Sequence, residues 1–508
     1  MRGSGVILRC SIFALQCSMM ALASGCYAPT PPAGAYSCTA GGACPDGQHC
    51  TCGQCVAADS EAACVLGAVA MPPACADWPA GQNKPDKCVH EHEPFAVKVS
   101  AFGSDGKTLA GGFHGGLTVT SSWGDAALVA GQPISFAGGE ATVQVTLNRE
   151  TIGASGARIS FHAGTAVGTT GRVSVVPPRW SVDAAEALAP GSWADLSVAE
   201  PAVVVGAPGD WRMYYTGITK ASALKFTVGL GVATSKDGKA WTHGQTPLLA
   251  APIGDWAKKS ISDPAPFRGA GGTWNLIFKG NNPDPNIMLL DGPGDLGLAT
   301  SSDGLGNFQL GGANPVVRHG ACNFCQTGIQ FPSVTPSVGG APGEYDLYFV
   351  TSRNALGAPL IGHGTSLDWG ATWDLDPVPA YAGNEQLLLA PRVVIEGSVY
   401  KMLYAYTLAK FTNADPCDGD VVVGIGYATS SDGVYWIPSP SNGAAGAIPP
   451  TAVTWAQTKV LVPGSPLLVD SADASKGLVM WFTLYQKVDF GALGKLCIPS
   501  GVGRATRN

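Results

Sequence analysis

The sequence predicts an all-β protein whose C-terminal part is a five-bladed β-propeller, preceded by a β-sandwich and a small disulfide-rich module. Three observations lead to this prediction. Glycine is abundant, at 68 of 508 residues, and aromatic residues recur at strand-like positions. A short phrase ending in a turn is written five times in the second half of the chain. Between residues 93 and 177, alternating apolar and polar residues are separated by turn residues at sandwich-like spacing.

The repeated phrase reads GLGVATSKDGKAW in its first copy. Its copies lie about 65 residues apart over the first three intervals and further apart over the last. They span 229–241, 295–308, 360–373, 424–436 and 500–508. Each follows an aromatic and aliphatic strand, which in turn follows a shorter strand built around proline. With the strand after the Asp-Gly turn, these make a four-stranded sheet. One such sheet cannot bury both of its faces, so five copies over 180–508 predict a ring of blades.

The repeated residues have structural roles. Asp-Gly supplies the positive backbone angles of a tight turn, and we expect Trp241, Trp373 and Trp436 to pack between blades. The copy at 366–373 fits S-x-D-x-G-x-T-W and resembles the Asp-box of sialidases, which is itself structural.

The region before the propeller divides in two. Residues 93–177, with FAGGEATVQVTLN followed by GTTGRVSVV, resemble bacterial Ig-like domains, which implies a spacer. Residues 37–90 hold eight of the 15 cysteines and few apolar residues, and they resemble an EGF-like module stapled by disulfides. The alternative there is a zinc site of His49, Cys50, Cys52 and Cys55. Cys322, Cys325, Cys417 and Cys497, in the propeller, are also expected to form disulfides.

The N-terminus predicts export. Arg2 and Arg9 precede an apolar run, so residues 1–25 are interpreted as a signal peptide. The sequence up to Cys26 resembles the lipobox of bacterial lipoproteins. This implies lipidation of Cys26, a Pro-rich spacer over 26–36, and an outer-membrane or cell-surface location; an ordinary cleaved signal is the alternative. Only 13% of residues are charged, the net charge is -7, and no basic run occurs, which excludes an electrostatic grip on nucleic acid.

Two acidic residues are the leading candidates for a site. GSWADLSVAEP (191–201) aligns with GDWAKKSISDP (254–264), which places Glu200 and Asp263 at equivalent positions of neighbouring inner strands. Inner strands line a propeller's channel, so the two carboxylates are expected to face one another. The alternative is that both carboxylates bond strand-end amides.

With Asp-Pro at an inner strand and G-x-G-x-A-T-S-x-D-G-x-x-W at outer ones, residues 180–508 resemble the furanosidase superfamily, including glycoside hydrolase families 43, 32 and 130. The resemblance implies a base or nucleophile, an acidity-tuning Asp and a general acid, which fall by position on Glu200, Asp263 and Gln330. An amide cannot donate the required proton. Glu385, in the loop before blade four, is the nearest substitute, and Asp291 and Asp295 are further ones.

Other residues are candidates for sugar binding. Trp193, Trp256 and Phe324 are predicted to lie near the channel for stacking on sugar faces, and Gln330 and His319 to lie near the pocket. No metal or cofactor is predicted, although an axial Ca²⁺ stays open.

The sequence therefore predicts a propeller whose partner is an oligosaccharide or polysaccharide. The propeller binds this glycan and, in one hypothesis, also hydrolyses it. A non-catalytic adhesion or protein-interaction lipoprotein is the alternative. A sialidase-like enzyme is a third hypothesis, weakened because the arginines fall in no arginine-Ile-Pro motif.

Overall fold

A computed structural model describes much of the chain from residue 44 onward. The described residues are 44, 48–51, 54–57, 64–74, 88–122, 126–148, 156–176, 178, 180–222, 225–281, 294–311, 313–351, 359–382, 387–407, 417, 423–439, 447–456, 458, 460–468, 477–489 and 495–507. They form β-strands and two short 3₁₀ turns, Ala270–Gly272 and Pro450–Ala452, and include no α-helix. The all-β prediction is confirmed. No helix in this part of the chain is long and apolar enough to cross a membrane. The predicted signal peptide, Cys26 and the spacer lie outside it.

The cysteine-rich region contributes one hairpin, β1 (Gln48–Thr51) and β2 (Gln54–Ala57). A disulfide joins Cys44 to Cys55, and Cys64 and Cys88 are also disulfide-bonded. Because Cys55 is bonded to Cys44, the alternative zinc site loses one of its four ligands.

Two sheets enclose a single core in the next region. One has the strand order β3-β5-β8-β7 and the other β10-β9-β6, while β4 and β11 pair in parallel beside them. The strands are β3 (Val65–Met71), β4 (Cys88–His90), β5 (Phe95–Phe102), β6 (Thr118–Ser121), β7 (Ala126–Leu128), β8 (Glu140–Leu147), β9 (Ile159–Ala163), β10 (Ala166–Thr169) and β11 (Ser174–Val176). Val97, Val99, Val145 and Phe161 are fully buried between the sheets. This is a sandwich; its Ig-like identity stays a prediction.

The sandwich begins earlier than the sequence suggested. Strand β3 lies within the segment predicted as the cysteine-rich module, yet it pairs along its length with β5. Leu66 is buried in the sandwich core, with Ala68 and Ala70 packed against it. The alternation of β3 was hidden by the cysteines on both sides of it.

From Trp180 onward, the described strands form five sheets, which are numbered one to five in chain order as propeller blades; that the whole propeller has five blades stays a prediction. Blades one and two are β13 (Ser197–Val205), β14 (Trp211–Ser222), β15 (Lys225–Ser235), β16 (Thr242–His243), β17 (Leu249–Ala250), then β18 (Ser260–Arg268), β19 (Trp274–Asn281), β20 (Gly294–Ser301), β21 (Gln309–Leu310). Blades three and four are β22 (Gln330–Pro336), β23 (Tyr345–Thr351), β24 (Leu360–Ser366), β25 (Asp374–Leu375), then β26 (Leu387–Glu396), β27 (Val399–Thr407), β28 (Gly424–Ser430), β29 (Ile437–Pro438). Blade five is β30 (Val460–Leu468), β31 (Leu478–Asp489) and β32 (Lys495–Arg507), with β12 (Trp180–Val182) outermost.

The ring is closed by the first strand of the propeller. Each inner strand contacts the next, and β30 contacts β13. β12 pairs with β32, Trp180 opposite Arg507, and so supplies the outer strand of the last blade. The repeat pattern did not predict this strand, because β12 carries no copy of the repeated phrase.

The turns of the repeated phrase behave as predicted. In the copy at 366–373, the Ser366 hydroxyl donates to Asp368 at 2.9 Å and accepts from the Gly370 N–H at 2.9 Å. Trp241 packs on Trp481 of blade five, with ring centroids 6.0 Å apart, and Trp436 packs on Tyr348 of blade three. Tryptophans after the turns therefore pack between blades. Two predicted disulfides of the propeller are also present, Cys322–Cys325 and Cys417–Cys497.

Candidate functional site

A β-bulge interrupts every inner strand at the same place. The pairing register shifts between Ala199 and Ala202, Ser262 and Ala265, Gln330 and Ser333, Leu389 and Arg392, and Pro463 and Pro466. In blades one to four the first residue of the bulge precedes a proline and has a positive φ: Glu200 (53°), Asp263 (56°), Phe331 (52°) and Ala390 (49°). Such angles are strained for side chains larger than glycine's. The bulge is therefore a built feature that directs these four side chains.

Glu200 lies at the junction of blades five, one and two. Its Oε2 accepts a hydrogen bond from the Thr216 hydroxyl at 2.5 Å and one from the Asp263 N–H at 3.1 Å. Its own N–H donates to the Thr483 hydroxyl at 2.7 Å. The residue is 1% exposed, and Oε1 has no hydrogen-bond partner among the described residues.

Asp263 repeats this arrangement one blade further on. Its Oδ2 accepts a hydrogen bond from the Phe331 N–H at 3.1 Å, and Oδ1 has no partner within the described part of the chain. It too is 1% exposed. The structure thus brings Glu200 and Asp263 together, and each uses one oxygen to bind the backbone of the next blade. This is the amide-bonding role considered as the alternative for both residues.

Arg392, which the sequence did not single out, lies at the same axis as Glu200 and Asp263 and bonds the inner strands of the remaining blades. Its Nη1 donates to the Pro332 carbonyl at 2.6 Å and its Nε to the Pro463 carbonyl at 3.4 Å, so it spans blades three, four and five. The side chain is fully buried, and no described group bonds Nη2. Hydrogen bonds of Glu200, Asp263 and Arg392 thus connect each sheet to the next around the axis.

The electrostatics of this ring favour a protonated Glu200. Burial raises the pKa of the Glu200 carboxyl well above its usual range, and the neighbouring Asp263 charge raises it further. Burial lowers the pKa of the Arg392 guanidinium, an effect that the Asp263 charge opposes. A protonated Glu200 can donate a hydrogen bond as well as accept one.

Blade three has no carboxylate at the equivalent position. Phe331 occupies the bulge, and its ring lies in an apolar cluster with Ala390 and Val462. Gln330, one residue earlier, accepts a hydrogen bond from the Lys279 ammonium at 2.9 Å. Lys279 is 1% exposed and lies in β19, where the apolar sequence gave no sign of a buried charge. Neither residue of blade three can supply a proton.

A second polar pair lies at the end of the propeller where inner strands begin. The His319 imidazole Nδ1 is 2.6 Å from Asp295 Oδ1, which also accepts from the His319 N–H at 2.8 Å. The Asp295 side chain is buried and that of His319 is 43% exposed. The N–H of Ile329, just before β22, donates to the Gly294 carbonyl at 2.9 Å, which places this pair beside the start of the third inner strand.

The three predicted stacking aromatics instead pack between blades. Trp193 lies in the cluster between blades five and one, Trp256 between one and two, and Phe324, 1% exposed, between two and three. The Trp256 ring lies so close to Gly280 and Gly297 that a Cβ at either position would collide with it. Glycine therefore shapes the surface on which this ring lies. Glu385 lies outside the described residues.

No protein-family model and no curated protein matches the chain. Among solved structures, a protein described as a glycoside hydrolase is 15% identical with a TM-score of 0.47, over 65% of this chain and 92% of that one. A structure titled for the GH130 family of mannoside phosphorylases is 16% identical with a TM-score of 0.44, over 65% and 94%. A family 117 glycoside hydrolase from Zobellia galactanivorans is 16% identical with a TM-score of 0.44, over 65% and 90%. The described residues themselves form an all-β propeller whose axis holds two buried carboxylates and a buried guanidinium.

Proposed function

We propose that residues 180–508 form a five-bladed propeller that binds a glycan where its inner strands begin, without cleaving it. One observation carries this proposal: Glu200 and Asp263 converge from neighbouring inner strands, each with one oxygen that no described group bonds. A buried polar atom without a partner is costly, so it favours a ligand or water that bonds it. Hydroxyl-rich ligands both donate and accept hydrogen bonds, which suits two carboxyl groups that lie close together.

The same end of the propeller offers polar groups for contact. The Gln330 amide, held by Lys279, is partly exposed, as is the His319 ring beside Asp295. Polar groups fixed by buried partners lose little freedom when they bind a ligand. These four residues support a binding surface above the carboxylates.

Two features argue against cleavage. Phe331 and Gln330 occupy the part of blade three where the furanosidase resemblance requires a general acid, and neither has a titratable proton. Each of the two carboxylates also uses one oxygen to accept a backbone N–H of the next blade, which makes that oxygen unavailable for proton transfer to a substrate. Loss of acid assistance typically costs about 10²- to 10⁴-fold in rate.

Hydrolysis is the second candidate, because the raised pKa of Glu200 is a property of general acids. In that mechanism Glu200 protonates the leaving oxygen while Asp263 acts as base or nucleophile, and the channel must open to admit the substrate.

We further propose an exported lipoprotein, anchored through Cys26 at the outer membrane or cell surface. The lipobox resemblance and the spacer over 26–36 support this location.

Binding and turnover are separated by one experiment on the secreted chain with Cys26→Ser. Glycan arrays measure binding, and chromogenic arabinosides, xylosides, fructosides and mannosides measure hydrolysis. We expect binding without turnover, weakened at least tenfold by Gln330→Ala and His319→Ala and unchanged by Asp255→Asn, a change at an exposed loop. Turnover abolished by Glu200→Gln establishes hydrolysis instead. If no glycan is bound or cleaved, the proposal fails.

A further inference from the structure

A charged socket on the propeller holds two residues from the sandwich side of the chain. It lies between blades four and five and is built from Lys401, Glu396, Tyr427 and Arg507. The Glu91 side chain is fully buried in it: Oε2 is 2.8 Å from the Lys401 ammonium and accepts a hydrogen bond from the Tyr427 hydroxyl at 2.8 Å. These contacts join residues more than 300 positions apart in sequence.

His92 occupies the same socket. Its Nε2 lies 2.8 Å from Glu396 Oε2 and 3.2 Å from the Lys401 ammonium. Arg507 holds the Glu396 carboxylate with two hydrogen bonds, both 2.8 Å long. His92 has a positive φ of 63°, an angle that is uncommon for residues other than glycine.

The sandwich fixes the backbone that carries these side chains. The Glu91 N–H donates to the Val176 carbonyl at 3.0 Å, and the His92 N–H donates to the Leu147 carbonyl at 2.9 Å. Val176 ends β11 and Leu147 ends β8, so two sandwich strands hold the dipeptide in place. The socket therefore connects one folded unit to another and does not merely bind a loose linker.

Among the described residues, the socket holds two basic and two acidic side chains when Glu91 is in it. Lys401 and Arg507 carry positive charges, and Glu396 and Glu91 carry negative ones, while a neutral His92 adds none. Without Glu91, the buried Lys401 ammonium would keep Glu396 as its one carboxylate partner among the described residues. A buried ion that loses its partner is strongly destabilising, because its desolvation is no longer compensated.

We propose that Glu91 and His92 form an interdomain latch: the sandwich supplies the charge that the junction of blades four and five needs, and is thereby held rigidly against the propeller. The propeller is then not an independent domain, although its sheets close into a ring by themselves. This inference does not depend on the proposed glycan site.

The latch also sets the orientation of the propeller. Glu396 ends β26, six residues after Ala390, the bulge residue equivalent to Glu200, which is roughly 20 Å at about 3.3 Å per residue. Arg507 likewise ends β32. The sandwich thus attaches toward the end of the propeller where inner strands finish. The end where they begin, with Gln330 and His319, faces away from the N-terminal region.

The latch is tested in the full chain by Glu91→Gln, by Lys401→Met and by the double variant, with Glu93→Gln as matched control. Glu93 lies two residues from Glu91 but is partly exposed, and it bonds the nearby His90 N–H. Calorimetry follows unfolding, and hydrogen exchange follows β27 and β28. We expect one transition for the wild-type chain and Glu93→Gln. For Glu91→Gln we expect a Tm lower by about 5 °C or more, separate sandwich and propeller transitions, and faster exchange in blade four.

The double variant distinguishes a charge latch from ordinary packing. Because it removes both buried charges, we expect it to recover at least half of the Tm lost in Glu91→Gln. If Glu91→Gln alone fails to fold, we expect the double variant still to fold, because it has no unpaired Lys401 charge. A wild-type Tm and exchange pattern in Glu91→Gln, or a double variant no more stable than Glu91→Gln, would overturn the proposal.

Discussion

The backbone N–H of Asp263 donates a hydrogen bond to the Glu200 carboxyl across the junction of blades one and two, at 3.1 Å. The same oxygen accepts from the Thr216 hydroxyl, which itself accepts from the Asp263 N–H at 3.0 Å. The carboxyl of Glu200 therefore has a structural role whatever else it does. Any mutation of this pair changes both blade packing and the axial chemistry, so variants must separate the two.

Glu200→Gln is expected to preserve the fold and to increase stability at alkaline pH. The amide oxygen can accept the same two hydrogen bonds. Since folding raises the pKa of Glu200 above its usual value of 4.5, the protonated carboxyl contributes fully to the stability of the folded state below pH 4.5, and this contribution is lost as pH rises through the folded-state pKa. An amide has no such loss. Thermal unfolding from pH 4 to pH 9 should show the gain of Glu200→Gln growing with pH.

Glu200→Ala is the contrasting variant. It removes the acceptor from the Asp263 N–H and the Thr216 hydroxyl, and we expect a loss of about 1–3 kcal/mol in the free energy of unfolding for each unsatisfied group. A Glu200→Gln variant as unstable as Glu200→Ala at every pH would show that the carboxyl is ionised in the folded protein.

Gln330→Glu is expected not to create a glycosidase. A carboxylate at this position would lie beside the Lys279 ammonium, which now donates to the Gln330 amide at 2.9 Å. An adjacent cation lowers a carboxyl's pKa, and a general acid must keep its proton near neutral pH. Assays with chromogenic glycosides should show no turnover for this variant. Hydrolysis that appears with Gln330→Glu and increases with Lys279→Met would contradict this expectation.

Trp256→Ala is expected to destabilise the propeller without selectively weakening a glycan. The ring fills the cluster between blades one and two, 5.7 Å from the Phe278 ring centroid, so its removal leaves a cavity. Loss of a packed tryptophan typically costs about 3–5 kcal/mol. Denaturant unfolding measures this cost. Leu367→Ala is the control, since that apolar side chain is 75% exposed. Glycan affinity that falls while stability is unchanged would assign Trp256 to sugar stacking.

The repeat pattern predicted the propeller because each blade encodes the same local requirements. In blades one, two and four the turn is Asp-Gly, in blade three it is Asp-Trp-Gly, and an aromatic residue follows each of these turns to cover the neighbouring blade. The internal alignment likewise found Glu200 and Asp263, since the bulge and its proline recur with the blades. These features are local in sequence, so spacing alone identifies them.

The features that were missed are long-range. Arg392 follows a bulge proline in an apolar strand, and only the closed ring reveals the two carbonyls that it binds. Strand β12 is recognisable only by its pairing with β32. The partners of Glu91 lie more than 300 residues away. The prediction that Trp193, Trp256 and Phe324 stack on sugars came from their nearness in sequence to the inner strands. The glycines against which the Trp256 ring packs lie at no fixed spacing from it, so the sequence did not reveal this packing.

Glu186→Gln is expected to stabilise the protein above neutral pH. The Glu186 carboxyl lies against Gly501 of β32, and burial raises its pKa from its usual value of 4.5 to about 7. The folded state therefore retains the proton better than the unfolded chain, so stability is full below pH 4.5 and is lost as pH rises to about 7. The residue is partly exposed, which reduces the effect, and we expect the Tm of Glu186→Gln to exceed the wild-type value by about 2–4 °C at pH 8. At pH 4 the two Tm values should coincide.

Asp255→Asn is the control for the Glu186→Gln variant. The Asp255 carboxyl is exposed and paired with Lys258, which lowers its pKa, so its replacement gives no gain in Tm at pH 8. Equal Tm values for wild type and Glu186→Gln at pH 8 would show that the Glu186 carboxyl ionises freely in the folded protein.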